Sequence, residues 1–188
     1  MASRQLTLLP EQAPAACSSP HRSRVSPAAS AVRVSPEMEL GRAGEYLVLA
    51  DLLLNGWVAY PTSQGVPYDV AVDIGERIIR VQVKSTLMPK SGASMKRSSP
   101  LYMFHTRRAG KGGRRRYGKV DFDVLALVAL DRRLIAYYPM CDCHQDLIAV
   151  RVPGIGYGIG GVKSRQFAEA GFERALAAIL NAPRYCGD

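Results

Sequence analysis

Two runs of alternating residues, Tyr68 to Ile74 and Arg77 to Thr86, stand on either side of Gly75-Glu76. Alternation at period two puts successive side chains on opposite faces of a strand, and a Gly-containing break between two such runs specifies a tight β-hairpin. This unit constrains the chain more than any other stretch. A hairpin needs a third strand or a helix against its apolar face to be stable. The sequence supplies both. From Met38 to Leu54 apolar residues recur at helical spacing, including Leu40, Ala43, Leu47, Ala50 and Leu54, and Asn55-Gly56 follows as a stop. Asp123 to Leu130 is almost continuously apolar, as in a strand covered on both faces.

Weaker signals fill in the rest. Trp57 to Pro61, Leu101 to Thr106 and Leu134 to Pro139 read as strands. The glycine-rich run from Gly154 to Gly161 reads as a loop, and Lys163 to Leu180 as a closing amphipathic helix capped by Ser164. The order predicts one mixed α/β (α+β) domain over residues 37–188. Residues 1–36, rich in Ala, Ser, Pro and Arg, read as a disordered tail. Their composition faintly resembles an organellar transit peptide; a start codon placed too early is the alternative.

The formal net charge is +9, and it is concentrated. Ten of the 25 Lys and Arg residues fall between Met88 and Lys119, a segment with no Asp or Glu, and the remaining fifteen balance 16 acidic residues. A localised basic surface points to a polyanion, since each neutralised phosphate releases counterions. Lys96, Arg97, Arg107, Arg108, Lys111, Arg114, Arg115, Arg116 and Lys119 are therefore the candidate nucleic-acid contacts. No run of about 18 apolar residues suggests a membrane span. Four irregularly spaced cysteines do not form a disulfide framework and point to a reducing, cytoplasmic setting. Cys141-Asp142-Cys143-His144 lacks the second ligand pair a structural zinc site requires. The glycine run lacks the strand and spacing of a phosphate-binding loop.

On the second hairpin strand Gln82 and Lys84 point to one side, with Ile78 and Arg80, opposite Val81 and Val83. A lysine beside an amide oxygen in an apolar strand is costly without a task. Pairing across Gly75-Glu76 brings Asp69 close to Gln82. A carboxylate, an amide oxygen and an ammonium at one point suit phosphodiester hydrolysis with Mg²⁺. Glu45 follows Gly41 and Gly44, two glycines that permit a close helix approach, and is placed to add a further carboxylate. Asp121, which with Asp123 flanks Phe122, is expected to serve the fold, the alternative being that it points toward the site; Tyr102, Phe104 and Tyr117 are expected in the core, the alternative being contact with DNA sugars.

Taken together, Gly41-x-x-Gly44-Glu45, Pro67-Tyr68-Asp69 and Gln82-Val83-Lys84 resemble the PD-(D/E)XK endonuclease superfamily, over roughly residues 38 to 140. The resemblance is strongest to the branch holding intron-encoded homing endonucleases, which also carries Gln at the acid position. It implies a restriction-endonuclease-like αβββαβ core with a mixed sheet. It also implies Mg²⁺, with Mn²⁺ as a substitute, on Asp69, Gln82, the Val83 carbonyl and Glu45, with Lys84 at the attacking water. DNA is then the substrate and a homodimer or larger homo-oligomer the working form. Gln82 in place of an acid departs from the superfamily pattern and weakens the expected metal site. A nuclease fold that only grips DNA is the alternative, and an RNA-binding or RNA-processing factor a third reading.

Overall fold

The computed structural model describes residues 35–63, 65–90, 99–110, 113–118, 120–157, 165–168 and 170–181. The first element is helix α1, Pro36–Leu54. It begins two residues before Met38, because Ser35 caps it (Met38 N to Oγ 3.3 Å), proline takes the first turn, and Glu37 and Glu39 sit where the helix dipole favours negative charge. Asn55 and Gly56, the latter at φ +82°, end it.

Five strands form the main sheet in the order β1 (Val58–Pro61), β2 (Val70–Asp73), β3 (Ile78–Thr86), β7 (Val124–Ala129), β8 (Leu134–Pro139). The β2–β3 hairpin is as the alternation predicts, with Val70 opposite Val81, and Gly75 at φ +87° makes the turn. The Asp73 carboxylate accepts the Gly75 N–H at 2.8 Å. β3 and β7 run parallel, Gln82 facing Leu125 and Lys84 facing Leu127; the other neighbours are antiparallel. The sheet is therefore mixed and the class is α+β, as expected.

All six residues of β7 are buried. Val124, Ala126 and Val128 meet a core built from α1, β1–β3 and helix α2 (Phe172–Asn181). Leu125, Leu127 and Ala129 meet a second core, in which strands β4 (Leu101–His105) and β9 (Leu147–Arg151) form a two-stranded layer. Tyr102 and Phe104 are buried there, as expected. A parallel crossover usually carries a helix, and an αβββαβ core places one between β3 and β7. Among the described residues this crossover instead holds β4 and a small hairpin, β5 (Arg108–Gly110) with β6 (Gly113–Arg115). The two-stranded layer covers the sheet face that a helix would otherwise cover.

The closing helix begins at Phe172, not Lys163, and Ser164, expected as its cap, lies outside the described residues. Arg165 bridges to Val150, and Tyr137 donates to the Ala170 carbonyl at 2.7 Å. These contacts tie residues 165 and 170 to the sheets, and the Ala170 N–H closes a turn onto the Phe167 carbonyl, so the tertiary pairing overrides the local periodicity. No helix among the described residues is long and apolar enough to cross a membrane.

Candidate metal-dependent active site

Asp69 lies one residue before β2 and faces β3. Its Oδ2 accepts the Val83 N–H at 2.7 Å and also a hydrogen bond from Gln82 Nε2. The same Gln82 nitrogen reaches the Val83 carbonyl oxygen at 3.2 Å. One position of positive character is thus shared by a carboxylate and a backbone carbonyl. These are two of the oxygens expected to bind metal, brought together as the hairpin register requires.

Lys84, two residues along the same strand face, donates from Nζ to the Tyr117 hydroxyl at 2.9 Å and stands 5.2 Å from that ring's centre. Tyr117 packs edge-on against Phe122, ring centres 5.0 Å apart. The crossover therefore supplies a residue that holds the lysine, which the sequence indicates only as core support.

Glu45 enters the cluster from α1. A side chain at Gly44 would overlap the Ser85 hydroxyl and come within 3.0 Å of Ser85 Cβ, so only glycine lets the helix cross β3 this closely. A Cβ at Gly41 would meet no other part of the described protein within 4 Å, so of these two glycines it is Gly44 that the close approach requires. Burial raises the pKa of the Glu45 carboxyl, and the negative charge of Asp69 raises it further against the opposing Arg42. Burial likewise raises the Asp69 carboxyl, opposed by the Val83 N–H, the Lys84 charge and the Gln82 amide. The Asp69 charge therefore reaches Glu45 across the gap between strand and helix. Ser85 Oγ, next to Lys84, is buried with no hydrogen-bond partner among the described residues.

Among the described residues no three His, Cys, Asp or Glu side chains converge on one point. A cation here has to draw on amide and carbonyl oxygens as well as carboxylates. The donor set meets that demand, for a half-turn of the Gln82 amide presents Oε1 to the point now held by Nε2. Hard oxygen donors of this kind fit Mg²⁺ or Mn²⁺.

The other charged residues divide. Arg80 shares the face of Gln82 but is tied to Asp123, Nε to Oδ2 at 3.0 Å and Nη2 to Oδ1 at 2.9 Å, and also donates to the Val120 carbonyl. Asp121 accepts the Gly118 N–H at 2.7 Å. Both acids bond to the chain's own groups, as expected for Asp121. Arg107 and Arg116 both bind the carboxylate of Asp146, an acid the sequence does not mark. Arg116 is 71% exposed, and such surface pairs exchange readily for phosphate. Arg108, Arg114 and Arg115 lie in β5 and β6, and their side chains are outside the described residues, as are Lys96, Arg97, Lys111 and Lys119 altogether.

A helix crossing a mixed sheet, with an acid before the central hairpin and a lysine two residues beyond its opposite partner, defines a nuclease-type α+β fold. A family model described as PD-(D/E)XK endonuclease matches residues 37–154, and the chain belongs to that family. The fold is also that of a bacterial homing endonuclease, I-Ssp6803I, at TM-score 0.52 and 18% identity over 66% of this chain and 84% of that one. No curated protein matches the sequence.

Proposed function

We propose that this chain is a metal-dependent endodeoxyribonuclease that hydrolyses DNA phosphodiester bonds. The observation that carries the reading is the convergence of Asp69 Oδ2 and the Val83 carbonyl on the Gln82 amide, beside Lys84. Asp69, the Val83 carbonyl and the turned Gln82 amide hold Mg²⁺ or Mn²⁺, with Glu45 as a further ligand directly or through water. Bound there, the ion supplies Lewis-acid polarisation of the phosphate and a more acidic water.

Lys84 orients the attacking water and then neutralises charge on the phosphorane oxygens. Tyr117 keeps its ammonium at that position. Exposed arginines of the basic segment hold the neighbouring phosphates without reading sequence. Cutting both strands requires two such sites and so two copies of the chain.

The test is cleavage of supercoiled plasmid by the full chain with Mg²⁺ or Mn²⁺, beside Lys84→Ala. Nicking that the variant loses establishes the activity and its centre together. Plasmid left intact on both metals, but bound, identifies a nuclease fold that only grips DNA. The amide nitrogen lying where the family pattern has an acid is the observation on the side of that second reading.

A further inference from the structure

A cavity of about 910 Å³ adjoins the candidate site, and Tyr117 belongs to both. Its volume is that of a small-molecule pocket rather than a packing defect. Tyr117, Phe122 and Met140 line it, beside the polar side chains of Thr106, His144 and Gln145. Arg107 and Arg116 line it as well, with side chains 40% and 71% exposed. They share the single carboxylate of Asp146, so the pair keeps a net positive charge. Val120, another lining residue, is 76% exposed, an apolar side chain offered to solvent at the lip.

An aromatic and apolar lining beneath a cationic rim matches one repeating chemistry, a planar base attached to a phosphate. A base in a duplex enters such a pocket only at a cost of about a few kcal/mol in unstacking and unpairing, whereas an unpaired one can stack on a protein ring without it. The rim also belongs to the one segment of the chain where cations accumulate without acids. We propose that this cavity receives unpaired nucleotides next to the scissile phosphate, so that the preferred substrate is DNA in which a single-stranded segment joins duplex. The inference rests on the nuclease reading for where the cut falls, and on the cavity itself for what binds.

The test measures binding by the full chain in EDTA, where nothing is cut. One probe is a short fully paired duplex; the other is the same duplex with a single-stranded arm containing 2-aminopurine. The arm is expected to tighten binding about tenfold, the contribution of roughly one stacked base, and to change the probe's fluorescence as it stacks. Val120→Asp, an exposed position that leaves the fold intact, and Cys141→Trp, which fills the lining, are expected to abolish the arm's advantage while paired duplex still binds.

Equal binding of the two probes, or an arm advantage that survives both variants, overturns the proposal. The two readings fail separately. Arm preference in a chain that cuts no DNA leaves the pocket and removes the nuclease. Lys84-dependent cutting without arm preference does the reverse.

Discussion

Lys84 Nζ donates to the Tyr117 hydroxyl at 2.9 Å, joining a strand of the central hairpin to the crossover that follows it. The pairing holds a flexible side chain at one place beside Asp69. Tyr117→Phe keeps the ring and its contact with the ammonium but removes the hydroxyl. We expect the single-turnover cleavage rate to fall about tenfold, the worth of one hydrogen bond to a charged group, with DNA affinity in EDTA unchanged. Lys84→Ala is expected to cost about 10²- to 10⁴-fold. An unaltered rate in Tyr117→Phe would show that Lys84 is positioned by other means.

Gln82 Nε2 donates to Asp69 Oδ2 and to the Val83 carbonyl, at the point where the proposed reading puts a cation. Gln82→Glu removes those donors and sets a second carboxylate against Asp69. The metal-free variant is expected to lose about 1–3 kcal/mol, at about 2–4 °C per kcal/mol for a chain of this size. Added Mn²⁺ or Mg²⁺ should restore more than is lost, because the variant's site carries one more negative charge. Thermal melts with EDTA and with metal decide this. A variant as stable as the parent in EDTA would mean the amide contributes nothing there.

The raised carboxyls fix a pH dependence. A group whose pKa is higher in the folded state than in the unfolded one stabilises the fold below the unfolded value and loses that contribution as pH rises through the folded value. Glu45 and Asp69 both follow this direction, first because of burial. Metal-free Glu45→Gln should therefore melt higher than the parent at neutral pH, and the two should converge below the ordinary glutamate value of about 4.3. A constant difference across that range would place Glu45 in water. Asp123 runs the other way. Burial alone would raise its carboxyl, but the hydrogen bonds and charge of Arg80 outweigh that and lower it. Its contribution is present above the ordinary aspartate range and disappears as pH falls through the lowered value.

Gly44 and Ser85 share a space that holds one side chain. Gly44→Ala is expected to destabilise the protein by about 1–3 kcal/mol through overpacking, although alanine is the better helix former. Adding Ser85→Gly should recover part of the loss, and Ser85→Ala alone should cost little, since its hydroxyl has no partner among the described residues. Additive effects in denaturant melts of the single and double variants would show that α1 crosses β3 elsewhere.

Local pattern was enough for the hairpin, because its pairing follows from the turn, and for β7, because burial on two faces leaves no polar alternation. It was enough to pair Asp69 with Gln82 for the same reason. It was not enough for β9, whose partner β4 lies more than forty positions earlier in the chain. Nor did the periodicity of the last helix reveal that Arg165 is held by β9. Tyr117 escaped as a partner of Lys84 because a contact between a strand and a distant loop leaves no mark at fixed spacing. Arg107 and Arg116 were legible as basic but not as a pair, since Asp146 lies outside the segment where the charges cluster.

The alternation of β3 has an evolutionary consequence. Ile79, Val81 and Val83 join the helical core, while Arg80, Gln82 and Lys84 occupy the alternate positions of the strand. Selection on folding and selection on chemistry therefore act on interleaved but separate sets of positions. A descendant can trade away Lys84, or restore an acid at position 82, and leave the apolar set untouched. Under the proposed reading, gain and loss of cutting are then accessible by single substitutions.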